Sequence, residues 1–236
     1  MKQLVGIILI TFSLATLPVL AQDTVRTVYR VSTRAPFTLD ENTIIYNKAT
    51  GERMPYQELL QIIRSNPKIS LTRQIGERGE VVSLLYDPNT TALKTQRDIS
   101  QRAKRGDPFP EFIVTTVQQH VIESARLNGR VVVLAFYLDL REPIVTPKMI
   151  SEFEEVMRRK APESVAVIFT TSQADEIKAV QSKTPITLPL VEDAINFHER
   201  YLITTFPSFV VRNQEGRMAG YANSLSELEA LLNSVR

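Results

Sequence analysis

The chain has 236 residues, 43% of them hydrophobic and 23% charged, with a formal net charge of +2. That is apolar material for one or two ordinary globular domains, and charges of both signs mixed along the chain leave no electrostatic case for nucleic acid or an anionic membrane as the main partner. There is no cysteine, so disulfides and thiolate nucleophiles are both excluded within this chain.

Residues 1–21 read as a secretory signal peptide. Lys2 gives a positive start, 4–20 form an apolar region, and Val19 and Ala21 take the −3 and −1 positions of a small-residue cleavage site before Gln22. The competing reading is a membrane anchor, but the run is short for a span, contains Pro18 and lacks a stop-transfer flank. With no cysteine after it, lipoprotein processing is excluded. The expectation is a soluble protein, periplasmic or secreted, with no membrane span after signal cleavage.

Residues 22–95 read as a small α+β module. Residues 25–33 alternate as a half-exposed strand. Ile44-Ile45-Tyr46 is a short apolar segment before a turn at 48–51. Pro55 opens a helix with Leu59, Leu60, Ile62 and Ile63 as its buried stripe, and Asn66-Pro67 stops it. Two strand-like runs, 68–75 and 80–86, are joined by Gly76-Glu77-Arg78-Gly79 as a hairpin. Asn89-Thr90-Thr91 fits a glycosylation sequon, but reads here as a turn and helix cap. Residues 92–105 are polar and read as a linker helix, 96–105 joining the two units. Arg97, Arg102, Lys104 and Arg105 form the densest basic patch, taken as a solvated face.

The second unit, 106–236, opens on Gly106-Asp107-Pro108-Phe109-Pro110-Glu111-Phe112, with a first strand at 112–115. Residues 117–127 stay open between a helix lined by Val117, Val121, Ile122 and Ala125 and a short hairpin arm. The run 131–144, VVVLAFYLDLREPI, organises the domain. Its apolar, valine-rich, non-alternating start reads as a strand buried on both faces, and the carboxyl end of a central strand is where α/β sites are built. A helix follows at 147–159, with Met149, Ile150, Phe153, Val156 and Met157 on one face. Then come a buried strand at 164–170, a helix at 173–183, an extended piece at 186–191 and a short helix at 194–201. The chain ends with a strand behind Pro207 and a terminal helix capped by Ser224 with Glu227 in a capping box.

Gly129-Arg130-Val131-Val132-Val133-Leu134-Ala135-Phe136-Tyr137 resembles the G-K-V-V-V-L-N-F-W run of thioredoxin-like proteins, in the exported TlpA and AhpC-TSA (peroxiredoxin-like) branch. The entry at 106–112 is similar to that branch's G-x-P-x-P-x-F. In that family the run leads into W-C-x-P-C; here Leu140, Arg141, Glu142, Pro143 and Ile144 stand in its place, and only the proline survives. Thr204-Thr205-Phe206-Pro207-Ser208-Phe209 resembles the family's cis-proline segment, with Gly216 in the hairpin turn after it. The resemblance implies an α/β, thioredoxin-like mixed sheet with helices on both faces over 106–236, preceded by the small module. It also implies that Pro207 is cis.

Thiol–disulfide exchange needs a thiolate, so oxidase, reductase, isomerase and thiol peroxidase activities fall away. His120 and His198 are the only histidines, far apart and without partners at ligand spacing, so no metal site is expected; His198 reads as a surface helix residue. There is no G-x-S-x-G elbow and no phosphate-binding loop, and no cofactor is expected. Asp139 and Glu142 flank Arg141, which is expected to hold a neighbouring carboxylate ionised rather than to support acid–base catalysis.

The expected role is therefore redox-inactive binding or scaffolding. The resemblance places a partner groove at Tyr137, Leu140, Arg141, Glu142, Phe206 and Pro207, suited to an exported protein or peptide added as an extended strand. A non-thiol enzyme or small-molecule binder in that groove or between the domains is the rival. A third reading gives the function to the N-terminal module.

Overall fold

A computed structural model describes residues 38–90 and 97–235. The expected signal peptide and the strand at 25–33 lie outside them.

In the first unit, Ile45–Asn47 (β1), Arg53–Met54 (β2), Tyr56–Ser65 (α1), Ser70–Ile75 (β3) and Val81–Asp87 (β4) form one sheet, order β2-β1-β4-β3, with a helix. Leu59 of α1 packs into a small core with Leu39, Ile45, Met54, Ile69 and Leu84, while Ile62 and Ile63 are only half-buried beside it. The β3–β4 hairpin forms as expected around Gly79, whose φ of +80° needs glycine. The β1–β4 pairing is parallel. Such a pairing needs a crossover, here supplied by α1 and its flanking strands.

The linker differs from expectation. Between 97 and 105 there is one 3-10 turn, Ile99–Gln101, rather than a helix, and Asp98 caps it by accepting from the Ser100 amide at 3.1 Å. The basic patch is not uniformly solvated. The Arg97 guanidinium donates to the Ile203 carbonyl. Arg102 donates to the Leu202 carbonyl at 2.9 and 3.2 Å and stacks 4.6 Å over the Tyr221 ring. Carbonyls in an irregular loop need donors when water is excluded, and these two arginines serve as straps.

The second unit opens with a two-stranded arm, Ile113–Thr115 (β5) and Val121–Glu123 (β6), turning at Gln119 (φ 64°), followed by a single 3-10 turn at Ser124–Arg126. Residues 117–127 thus resolve to the arm; Val121 is 59% exposed, so a helix would have buried nothing with it. The main sheet holds Val132–Tyr137 (β7), Val165–Thr170 (β8), Leu190–Val191 (β9), Ser208–Arg212 (β10) and Met218–Ala222 (β11), in the order β11-β10-β7-β8-β9. β7, β8 and β9 run parallel; β10 and β11 are antiparallel to their neighbours.

All six residues of β7 are buried, because both faces of the sheet are covered. Pro147–Lys160 (α2), Ala174–Gln181 (α3) and Leu225–Asn233 (α5) contribute to one core with Val133, Ala135 and Tyr137. Ile195–Arg200 (α4) and the entry residues Phe109 and Phe112 make the other, with Val132, Leu134 and Phe136. Thr146 caps α2, Pro147 fills its first turn, and Ile150, Phe153, Val156 and Met157 are its buried stripe. Ser224 caps α5 by accepting from the Glu227 amide at 3.2 Å, while Glu227 reaches back to the Asn223 amide at 2.8 Å, one residue earlier than in a simple capping box. Among the described residues no helix is long and apolar enough to cross a membrane.

The first unit docks on α4. Arg73 pairs with Glu199, donating from Nε at 2.9 Å. Asn196 donates to the Gly79 carbonyl at 2.8 Å, Arg200 donates to the Ile75 carbonyl, and the Ile113 amide donates to the Glu77 carbonyl at 2.7 Å. A Cβ on Gly79 would lie 2.8 Å from the Phe197 ring, so glycine lets the hairpin reach the helix.

Candidate functional site

β7 delivers the chain to a turn at 138–146 before α2 begins. Asp139 is only 8% exposed there, and a buried carboxylate requires donors. It has them: the Arg141 amide at 2.9 Å, the Arg141 guanidinium at 2.5 to 3.0 Å, and the Ser172 hydroxyl at 3.1 Å. Ser172, just past β8, in turn accepts from the Leu140 amide at 3.0 Å. Arg141 also pairs with Glu176 of α3 at 3.0 Å. Glu176 accepts from the Gln173 amide at 2.9 Å, closing a capping box.

The hydrogen bonds from Arg141 hold the Asp139 carboxyl down at about 2, against the opposing pull of burial. Asp139 is thus a fixed anion and not a proton donor near neutral pH, and the pairing expected of Arg141 is present. Its second carboxylate is Glu176, not Glu142, which is exposed. Because the folded value lies below the ordinary 3.8, the pair's stabilisation is present above that pH and lost as pH falls toward about 2. Arg141 is half-exposed, so solvent screening limits the contribution. Asp139→Asn is expected to cost about 1 kcal/mol at pH 7, with parent and variant converging near pH 2 in denaturant titrations.

Of the two positions where the resemblance places thiols, Arg141 is tied into this network and Ile144 is 51% exposed. Leu138, on the other side of the turn, is 40% exposed. Tyr137 and Leu140 are buried at 1% and 2%, so they support the turn from beneath and offer almost no surface. The Glu142–Pro143 bond is cis, and α2 starts only at Pro147.

The Phe206–Pro207 bond is also cis. Ser208 pairs with Phe136, and that antiparallel register carries Pro207 to the level of Tyr137. The loop is pinned by the Ser208 hydroxyl, which donates at 2.7 Å to the Thr205 carbonyl. Phe206 and Pro207 are half-buried.

Below Phe206 lies His198, fully buried instead of on the surface as its sequence context suggested. The short α4 turns Phe197 and His198 inward, and the imidazole packs 5.3 Å from the Phe136 ring and 5.2 Å from Phe206. Neither ring nitrogen has a partner with hydrogen-bond geometry among the described residues. Burial, reinforced by the Arg97 charge, pushes its value down to about 3; the Phe169 backbone pulls weakly the other way.

The 140–147 turn and α3 bound a cleft of about 460 Å³ lined by Leu140, Arg141, Glu142, Val145, Ala179 and Lys183 among others; Phe206 and Pro207 do not line it. The six groove residues therefore divide: Arg141 and Glu142 face this cleft, Leu140 forms part of its base, Tyr137 lies beneath, and Phe206 with Pro207 form the separate cis-proline loop. No group of three or more His, Asp or Glu is placed to hold a metal among the described residues. Sequence reasoning did not single out Leu138, Ser172 or Glu176, and marked Ile144 only as standing at one of the two thiol positions. The spacing of Gln173 and Glu176 is readable as a capping box, but that Arg141 would meet it is not.

The strand order β11-β10-β7-β8-β9, helices on both faces and a cis-proline entering β10 define a thioredoxin-like fold. Here it is built without a single cysteine. No protein-family model matches the chain, and no curated protein does.

Solved structures similar to it include a candidate protein disulfide isomerase from Bacteroides thetaiotaomicron (20% identity, TM-score 0.47, 56% of this chain and 88% of that one). A candidate thiol:disulfide interchange protein DsbE from Chlorobium tepidum is 14% identical, with a TM-score of 0.47 over 56% of this chain and 98% of that one. A secreted disulfide oxidoreductase of Mycobacterium tuberculosis is 21% identical, with a TM-score of 0.43 over 52% of this chain and 95% of that one.

Proposed function

We propose that this is an exported, thiol-free thioredoxin-like protein that binds an extended segment of a protein or peptide along the rim of the 138–144 turn and the cis-proline loop. Export rests on the signal-like residues 1–21. The observation that carries the binding reading is the exposure of Leu138 (40%) and Ile144 (51%) on either side of a turn whose Asp139 and Arg141 are already paired internally. Exposed apolar side chains on a rigid turn suit contact with a partner, and Phe206 and Pro207 add half-buried apolar surface at the end of β10. Holding an extended segment by backbone pairing and side-chain pockets needs no thiol. The ionised, fully engaged Asp139 speaks against the enzyme reading, since general acid–base work needs a group whose proton is exchangeable near the operating pH.

The test is affinity selection of random extended peptides, followed by binding measurements on the winners. Leu138→Asp with Ile144→Asp is the informative variant. Arg141→Glu is not, because it would set a third carboxylate beside Asp139 and Glu176. The double variant is expected to weaken binding by about tenfold or more, the size of losing a central apolar contact, with Pro207→Ala weakening it as well. Unchanged affinity in both variants sinks the reading, as does a selection that enriches nothing.

A further inference from the structure

We propose that the cleft between the 140–147 turn and α3 is a dipolar peptide subsite. It takes an extended segment carrying a basic, an apolar and an acidic side chain at alternate positions. This rests on the peptide-binding reading above and names the chemistry of the peptide.

The wall contributed by α3 is organised by helical spacing. Residues four apart stack on one face, giving the rows Asp175-Ala179-Lys183 and Glu176-Val180-Thr184, and all six line the cleft. The helical turn continues past α3, since the Lys183 and Thr184 amides both donate to the Val180 carbonyl, at 3.0 and 2.9 Å. The wall is therefore acidic at one end, small and apolar in the middle and basic at the other. The opposing wall matches the first two parts of that order: Glu142 is acidic, and Val145 and Pro147 are apolar. Arg141 does not cancel the acidic end, because Asp139 and Glu176 already neutralise it. Glu142, Asp175 and Lys183 make no ion pair among the described residues. An acid at the start of a helix and a lysine at its end also suit the helix dipole. What makes a site of them is the second wall and the volume of about 460 Å³ between, within the range of ligand pockets.

The dimensions set the pattern. From residue 175 to 183 a helix rises about 12 Å. An extended chain rises about 3.3 Å per residue, so side chains four apart lie about 13 Å apart, on one face, with the side chain between them pointing the same way. A basic side chain then reaches Asp175 and Glu142, an apolar one sits over Val145, Ala179 and Val180, and an acidic one reaches Lys183.

The test uses the full-length protein and four blocked pentapeptides with alanine at the second and fourth positions. The first has lysine, leucine and glutamate at the odd positions. The second and third replace the charged ends with two lysines or two glutamates. The fourth replaces leucine with serine. The dipolar leucine peptide is expected to bind about tenfold tighter than the other three, read by titration calorimetry. Lys183→Glu is expected to switch the preference to the two-lysine peptide. A misfolded variant would lose binding to every peptide and could not gain a new one, and parent-like melting of the variant checks this separately. Equal affinity for all four peptides overturns the subsite, as does an unswitched ranking in Lys183→Glu. If Leu138→Asp with Ile144→Asp abolishes binding of selected peptides while Lys183→Glu changes nothing, the rim reading stands and the cleft falls alone.

Discussion

Stability is expected to fall steeply with acidification because of His198. The folded value of about 3 lies far below the ordinary 6.5, so below pH 6.5 the unfolded chain binds a proton that the folded one refuses. The contribution is zero above that pH and becomes a growing penalty as pH drops. Each pH unit costs about 1.4 kcal/mol, which gives about 3 kcal/mol by pH 4.5 and about 5 near pH 3, where the penalty levels off. Little packed around the ring relieves it: Phe136 and Phe206 are apolar, Arg97 repels the imidazolium, and the Phe169 backbone offsets only a small part. The check is denaturant unfolding between pH 4 and 8 for the parent and His198→Phe. The variant is expected to stay within about 1 kcal/mol of the parent at pH 8, an aromatic-for-aromatic exchange in a core, and to lose most of the slope below pH 6.5. Parallel curves for the two proteins would show that His198 does not set the acid limit.

Arg73→Ala is expected to cost about 3 kcal/mol and to loosen the N-terminal module from α4. Arg73 and Glu199 are largely buried, with side chains 8% and 19% exposed, and removing one partner of a buried pair leaves a charge without its counter-ion. Arg73→Met with Glu199→Met should recover a substantial part of the loss, because two apolar chains of similar length fill the space without an orphan charge. The readout is two-fold: the denaturation midpoint, and hydrogen exchange at β3 and α4, the surfaces that separate. If the single variant melts like the parent, the pair is not what holds the two units together. The arrangement also bears on the groove, because α4 carries Asn196, Glu199 and Arg200 toward the module and His198 toward Phe206.

What could be read from the chain alone was whatever depends on near neighbours. Thr146, Pro147 and the apolar positions from Ile150 to Met157 specify α2 through capping and a 3.6-residue period. Gly76 and Gly79 specify the hairpin, and the unbroken apolar run of β7 announces a strand covered on both faces. The absence of cysteine rules out thiol chemistry with no structure at all. Tertiary structure alone decided what depends on pairing across long separations. His198 lies next to the charged residues Glu199 and Arg200, and only the docking of α4 on Phe136 and Phe206 buries it. Arg97 and Arg102 look like a solvated patch until the carbonyls of Leu202 and Ile203 meet them. Arg141 had two neighbouring carboxylates in sequence; the fold kept Asp139, turned Glu142 out and brought in Glu176 from 35 positions away. Local propensity and capping act over a few residues, whereas the choice of partner for a buried charge is made by which elements the whole core brings together.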